Sequence, residues 1–178
     1  PGKAIFRSFV KFSTPVLLNE TLWGTGTSLY TVIMGHMAGS TDLISAYTVA
    51  GNIDKMVTVA IFGVAAAAAV IVGKEVGMGG KNAYDIGRAL IFVAFCTGLG
   101  VAVVEQLLFW LVLQPHVLPL FSMSAVSASL CVTMMICYSL SAPLHAFATT
   151  GIVGVLRGGG GVRAAMLIDL LPLWLFTL

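Results

Sequence analysis

Four of the seven acidic residues of this chain, Glu20, Asp54, Glu105 and Asp169, fall inside long apolar stretches. A carboxylate among hydrocarbon is expensive, so it is kept facing a cavity or a partner. Held that way, it can carry a proton or a small cation. His145 sits in another such stretch, two residues after Pro143. Imidazole is the side chain whose ordinary titration falls near neutrality. Each group also has a purely structural reading. Glu20 can bond to backbone or to a basic partner, and Glu105 can reach the boundary of its stretch. Asp54 can form a local ionic feature with Lys55, Asp169 can pair with Arg157 or Arg163, and His145 can be a hydrogen-bonded packing residue.

Chemistry of the soluble-enzyme kind has no support in the residues. There is no HExxH, no P-loop and no CxxC pair. The Gly158–Gly161 run follows an apolar stretch rather than a strand, so it fails the context that a dinucleotide loop requires. Cys96, Cys131 and Cys137 lie in apolar stretches without metal-ligand spacing and read as small core residues. The expectation is therefore no enzyme, no bound metal and no organic cofactor.

The elements that position these groups are membrane spans. Hydrophobic residues make up 58% of the chain and charged residues 9%, against about 25% charged in an average soluble domain. A crossing helix needs roughly 20 apolar residues. The candidate spans cover about 15–37, 45–72, 89–113, 124–155 and 164–178. They are too long, and too apolar on every face, for barrel strands. The fold class is thus all-α integral membrane with about five transmembrane helices.

Charge alternates with the spans. Lys3, Arg7 and Lys11 precede the first. Lys74, Lys81 and Arg88 separate the second from the third. Arg157 and Arg163 separate the fourth from the fifth. The two remaining gaps have no Lys or Arg, so eight of the nine basic residues share one side. The positive-inside rule makes that side cytoplasmic, with the N-terminus of the chain inside. The net charge of +2 follows from this topology and gives no reason to expect nucleic acid.

Residues 1–13 carry Ile5, Phe6, Phe9, Val10 and Phe12 against Lys3, Arg7 and Lys11. They read either as a cytoplasmic amphipathic helix along the interface or as a linker, ahead of a helical lobe over 14–178. Ser13-Thr14-Pro15 has the form of a helix start. Gly35–Gly39 reads as a turn, the Ala65–Ala69 run as a surface for close helix packing, Pro115 and Pro119 as an outer loop, and Pro143 as a kink. The chain begins with Pro1 and stops about fifteen residues into its last span, so residues are expected beyond both ends.

Several segments resemble one family in order and spacing. Thr14-Pro15-Val16-Leu17-Leu18-Asn19-Glu20 resembles the start of the seventh helix of multidrug and toxic compound extrusion (MATE) transporters. Ala46 onward, with Ala65–Ala69 and Val72-Gly73-Lys74-Glu75-Val76-Gly77-Met78-Gly79, is similar to their eighth helix and its exit. Gly154-Val155-Leu156-Arg157-Gly158-Gly159-Gly160 is similar to the turn after the tenth helix, and Asp169 to Trp174 to the opening of the eleventh.

The resemblance implies a partial C-terminal six-helix lobe of a twelve-helix transporter, with the N-terminal lobe of the same chain as its missing partner. It implies exchange of H⁺ or Na⁺ for amphiphilic, often cationic small molecules across the bilayer of a bacterial inner (plasma) membrane. Glu20 matches the family's coupling acid of the seventh helix. His145 and Asp169 are further cation-coupling candidates, and Asn19, Trp23, Tyr30, Asn52 and Asp54 are candidate cavity residues. The sequence departs from the family at Gly161-Val162 and His145-Ala146, where an acid is often found. The alternatives are a lipid-linked oligosaccharide flippase of related fold, with basic residues in its cavity, or a non-transporting membrane fragment.

Overall fold

The computed structural model describes residues 2–121 and 123–177, and the secondary structure among them is entirely helical. Helix α1 spans Gly2–Gly35, α2 Ser40–Gly77, α3 Ala83–Leu108, α4 Ala125–Thr149 and α5 Val162–Pro172. Three of them continue in looser turns. A π-helical segment, Phe109–Val117, extends α3 and leads into a 3₁₀ turn at Leu118–Phe121. Two others, Thr150–Arg157 and Leu173–Thr177, extend α4 and α5.

Glycine makes three of the reversals. Gly39, Gly79 and Gly160 have φ of 73°, 68° and 86°, a left-handed backbone that costs a residue with a Cβ about 1–2 kcal/mol. The hairpins collect Lys11, Lys74, Lys81, Arg157 and Arg163 towards one end of the bundle. There Lys11 and Arg163 line one groove, and Gly73 approaches the carbonyl of Gly158.

The body consists of α2, α3 and α4, packed through small residues. A Cβ on Gly98 of α3 would lie 2.6 Å from the Pro143 Cα of α4. A Cβ on Gly154 would lie 2.8 Å from the Ala68 Cβ, and one on Gly158 would lie 2.7 Å from the Ala69 carbonyl oxygen. The Ala65–Ala69 run thus does what its composition suggested: it lets the end of α4 come down onto α2 almost backbone to backbone. Around these contacts the buried interior forms two apolar clusters. One contains Ala46, Ala50, Phe109, Cys131 and Met135, and the other Ile61, Val101, Ala142 and Ala146.

The outer surface is also apolar. Val70, Phe92, Leu140 and Leu144 are each at least 66% exposed. Such a surface belongs in hydrocarbon. By length and composition, Ser40–Gly77, Ala83–His116 and Ala125–Arg157 can cross a membrane. Helix α1 has the length, at 34 residues, but Asn19, Glu20 and a series of Thr and Ser residues dilute its middle. Thr14, Thr21, Thr25 and Ser28 satisfy their hydroxyls on the carbonyl four residues back, which lets a polar helix run without outside partners.

Four expectations change. Of the three cysteines read as core residues only Cys131 is buried, while Cys96 and Cys137 are exposed on the apolar outer surface. Helix α1 does not start at Ser13–Pro15. It runs on from residue 2 through Pro15, with Thr14 Oγ1 donating to the Val10 carbonyl, 2.7 Å away. Pro115 and Pro119 lie in helical turns rather than an open loop, since proline deletes a single N–H and the wider π turn accommodates its ring. Glu105 does not reach a boundary, because it is fully buried.

Candidate functional site

Helix α1 packs mainly against α5 and lies away from the small-residue contacts of the body. Between α1, α2, α4 and α5 opens a cleft of about 640 Å³, lined by Glu20, Trp23, Phe62, His145, Arg157 and Asp169 among others. All three coupling candidates, Glu20, His145 and Asp169, therefore border one space, although 125 positions separate the first two in sequence.

Arg157 organises the polar end of this cleft. Its Nη1 lies 2.8 Å from Glu20 Oε1 and its Nη2 lies 3.5 Å from Asp169 Oδ2. Asp169 also accepts a hydrogen bond from Asn19 Nδ2 at 2.8 Å. One guanidinium thus bridges a carboxylate on α1 and a carboxylate on α5, a use that suits its planar, forked donors. The two acids differ in exposure. Glu20 is 57% exposed, whereas Asp169 is 25% and Arg157 15%. Arg157 closes the π-helical segment 150–157, and a π turn rotates the residues beyond it relative to their phase on an unbroken α-helix. Of the two bases that could have met Asp169, Arg157 does so, and Arg163 stays exposed.

Trp23 follows Glu20 by three residues, so both project from one face of α1. It presents a half-exposed indole to the cleft. Phe62 meets the His145 ring edge-on, with centroids 6.1 Å apart. Together these groups give an aromatic wall beside a charged end.

The remaining candidates sit elsewhere. Asn19 is buried behind the wall rather than on it, because its neighbour Glu20 takes the cleft-facing phase of the helix. Its Oδ1 has no hydrogen-bond partner among the described residues. Tyr30, two turns beyond Trp23 and half-buried, does not line this cleft, and Asn52 is exposed on α2. Asp54 is half-buried on α2, in electrostatic range of His145 and Glu105 but not in the cleft wall. Sequence reasoning missed the bridging role of Arg157, which it placed in a loop. The signal was the one basic residue set between a glycine-spaced helix end and the Gly158–Gly161 turn. Among the described residues, no group of His, Cys, Asp and Glu forms a transition-metal-like cluster.

The long apolar helices and their apolar outer surface are those of a multi-pass membrane protein. The family model described as MatE matches residues 15–176. The chain belongs to the MatE family, whose members are membrane transporters. No curated protein and no solved structure matches it.

Proposed function

We propose that this chain is part of a cation-coupled exporter, in which H⁺ or Na⁺ entering the cell drives amphiphilic, often cationic compounds out across a bacterial inner membrane. In this reading the five helices belong to the C-terminal lobe of a twelve-helix protein, with the basic end cytoplasmic. The observation that carries the proposal is the charge of the cleft. Two carboxylates face one guanidinium, so the cluster holds one net negative charge beside Trp23 and Phe62. A cation with an apolar body fits such a site. An anionic lipid headgroup does not, since the arginine that would bind it is already engaged by both acids.

Glu20 is the exchangeable member. It is the exposed end of the bridge, so a proton or a Na⁺ ion entering the cleft meets it before Asp169 and competes with Arg157 for it. Arg157 then keeps Asp169 as its counter-charge. Occupancy of Glu20 thereby makes or breaks the direct link between α1 and the end of α4, while α5 stays tied through Asp169. Rocking of repeat units around a fixed site is how such transporters alternate access.

The test is accumulation of a fluorescent lipophilic cation in efflux-deficient cells that express the full-length protein. Wild type should lower the accumulation, and Glu20→Gln should leave it at the level of cells without the transporter. Export by Glu20→Gln at the wild-type rate would remove Glu20 from coupling. Absence of dye export by wild type, together with build-up of a lipid-linked oligosaccharide precursor on deletion, would favour the flippase.

A further inference from the structure

The cleft does not use the most deeply buried acid of the chain. Glu105 has no solvent exposure, and neither of its carboxyl oxygens has a hydrogen-bond partner among the described residues. The ion pairs among the described residues belong to Arg157, so Glu105 has no basic side chain against it. One helical turn to either side stand Val101 on α3 and Phe109 at the start of its π-helical extension. Val101 belongs to one apolar cluster and Phe109 to the other. Glu105 therefore occupies a thin polar layer between two hydrocarbon blocks.

The rest of that layer is assembled from three helices. Asp54 on α2 is in electrostatic range of Glu105, and its backbone carbonyl accepts from Thr58 Oγ1 at 2.8 Å. Next to Glu105, Gln106 Nε2 donates to Ser139 Oγ and to the Met135 carbonyl of α4. Titratable groups in electrostatic range of Asp54 are Lys55 on α2 and Tyr138 and His145 on α4, and Tyr138 in turn has Tyr47, Cys131 and Cys137 in its range. His145 lines the cleft, and Asp54 lies in electrostatic range of it.

We propose that Glu105 is a second proton-binding site, internal to the body of α2, α3 and α4. The driving force is electrostatic. Leaving an ionised carboxylate in hydrocarbon with neither ion pair nor hydrogen bond costs far more than neutralising it. Among the described residues no cation pairs with it. A proton on one Oε removes that charge. The step makes or breaks one O–H bond, with water as source and acceptor of the proton. The site is distinct from Glu20, which is exposed and already paired. It stands whatever compound is exported.

The experiment is infrared difference spectroscopy of the purified full-length protein in liposomes, titrated across the neutral range with and without Na⁺. The expected result is a protonated-carboxyl band at neutral pH that Na⁺ does not change, that survives Glu20→Gln and that disappears in Glu105→Gln. A spectrum that Glu105→Gln leaves unchanged would overturn the proposal. So would a band that Na⁺ abolishes, since the site would then hold a metal cation. If Glu105→Gln does not fold, Asp54→Asn decides: removal of the neighbouring charge must displace the titration of the band, and an unmoved titration rejects the site. The readout is independent of transport, so a failed export assay and a failed Glu105 assignment are separate results.

Discussion

The body of α2, α3 and α4 and the edge formed by α1 and α5 are held by opposite means. In the body, Gly98, Gly154 and Gly158 bring helix backbones within the reach of a single added carbon. Such contacts have no alternative arrangement at similar energy, because a close-packed interior has no room to slide. The edge meets the end of α4 through Glu20, Arg157 and Asp169, while Asn19 ties α1 to Asp169. Polar links of that kind can exchange partners, and a proton or cation can compete for them. Rigidity thus belongs to one part, and in the proposed mechanism switching belongs to the other. This division explains why a transporter lobe would invest its small residues on one side and its charges on the other.

The strongest way to break the comparison is to overfill the body. Gly154→Leu drives a side chain into Ala68 and into the Ala65 carbonyl, which a Cβ alone would approach to 2.8 and 3.0 Å. Overpacking costs about 1–3 kcal/mol where the surroundings can shift, and here two backbones cannot. Most of the protein should be lost to aggregation, as seen by fluorescence-detected size exclusion in detergent. A monodisperse Gly154→Leu protein at the wild-type level would show that the body is not rigidly packed.

Arg157→Met ranks next. It keeps an unbranched apolar stem and removes both ion pairs, leaving two carboxylates facing each other across the cleft. The expected loss of thermal stability is about 1–3 kcal/mol, in the range for hydrogen bonds to charged groups. It comes mainly from the partly buried Asp169 rather than the exposed Glu20. Export should be abolished. Thermal melts that match wild type would mean that the edge does not depend on the bridge.

The smallest effect belongs to Asn19→Ala. It deletes one 2.8 Å hydrogen bond to Asp169 but also removes a buried Oδ1 that has no partner among the described residues. The two changes oppose each other, so the net destabilisation should be about 1 kcal/mol or less. If Asn19→Ala destabilises as much as Arg157→Met in the same melts, the hydrogen bond and not the arginine secures the edge.

Much of this division was legible in the residues. The apolar stretches and the alternation of Lys and Arg set the helices and the shared basic end, because those patterns report the solvent around each segment. The Ala65–Ala69 run announced its close contact. Helix ends were less legible: Pro15, Pro115 and Pro119 looked like boundaries, yet each lies within a helical turn, since one lost N–H is cheap where neighbouring bonds persist.

The site was legible in its members more than in its wiring. Glu20, His145 and Asp169 stood out as polar groups in apolar surroundings. That Arg157 ties the first to the last depends on the phase of a π-helical segment, which no periodicity in the sequence revealed. Asn19 and Glu20 look equivalent as letters, and only the helical phase sends one to α5 and the other to the cleft. Glu105 looked peripheral because aromatic Phe109 and Trp110 follow it, but the π-helical extension carries the helix further and leaves the acid inside.

The most direct test of the coupling claim is made with the full-length protein in liposomes. A pH gradient is imposed, and proton influx is measured with a trapped dye while a lipophilic cation moves the other way. Wild type should move protons only when the cation is present, and Glu20→Gln should move neither. Coupled exchange at the wild-type rate in Glu20→Gln would contradict the role given to that carboxylate.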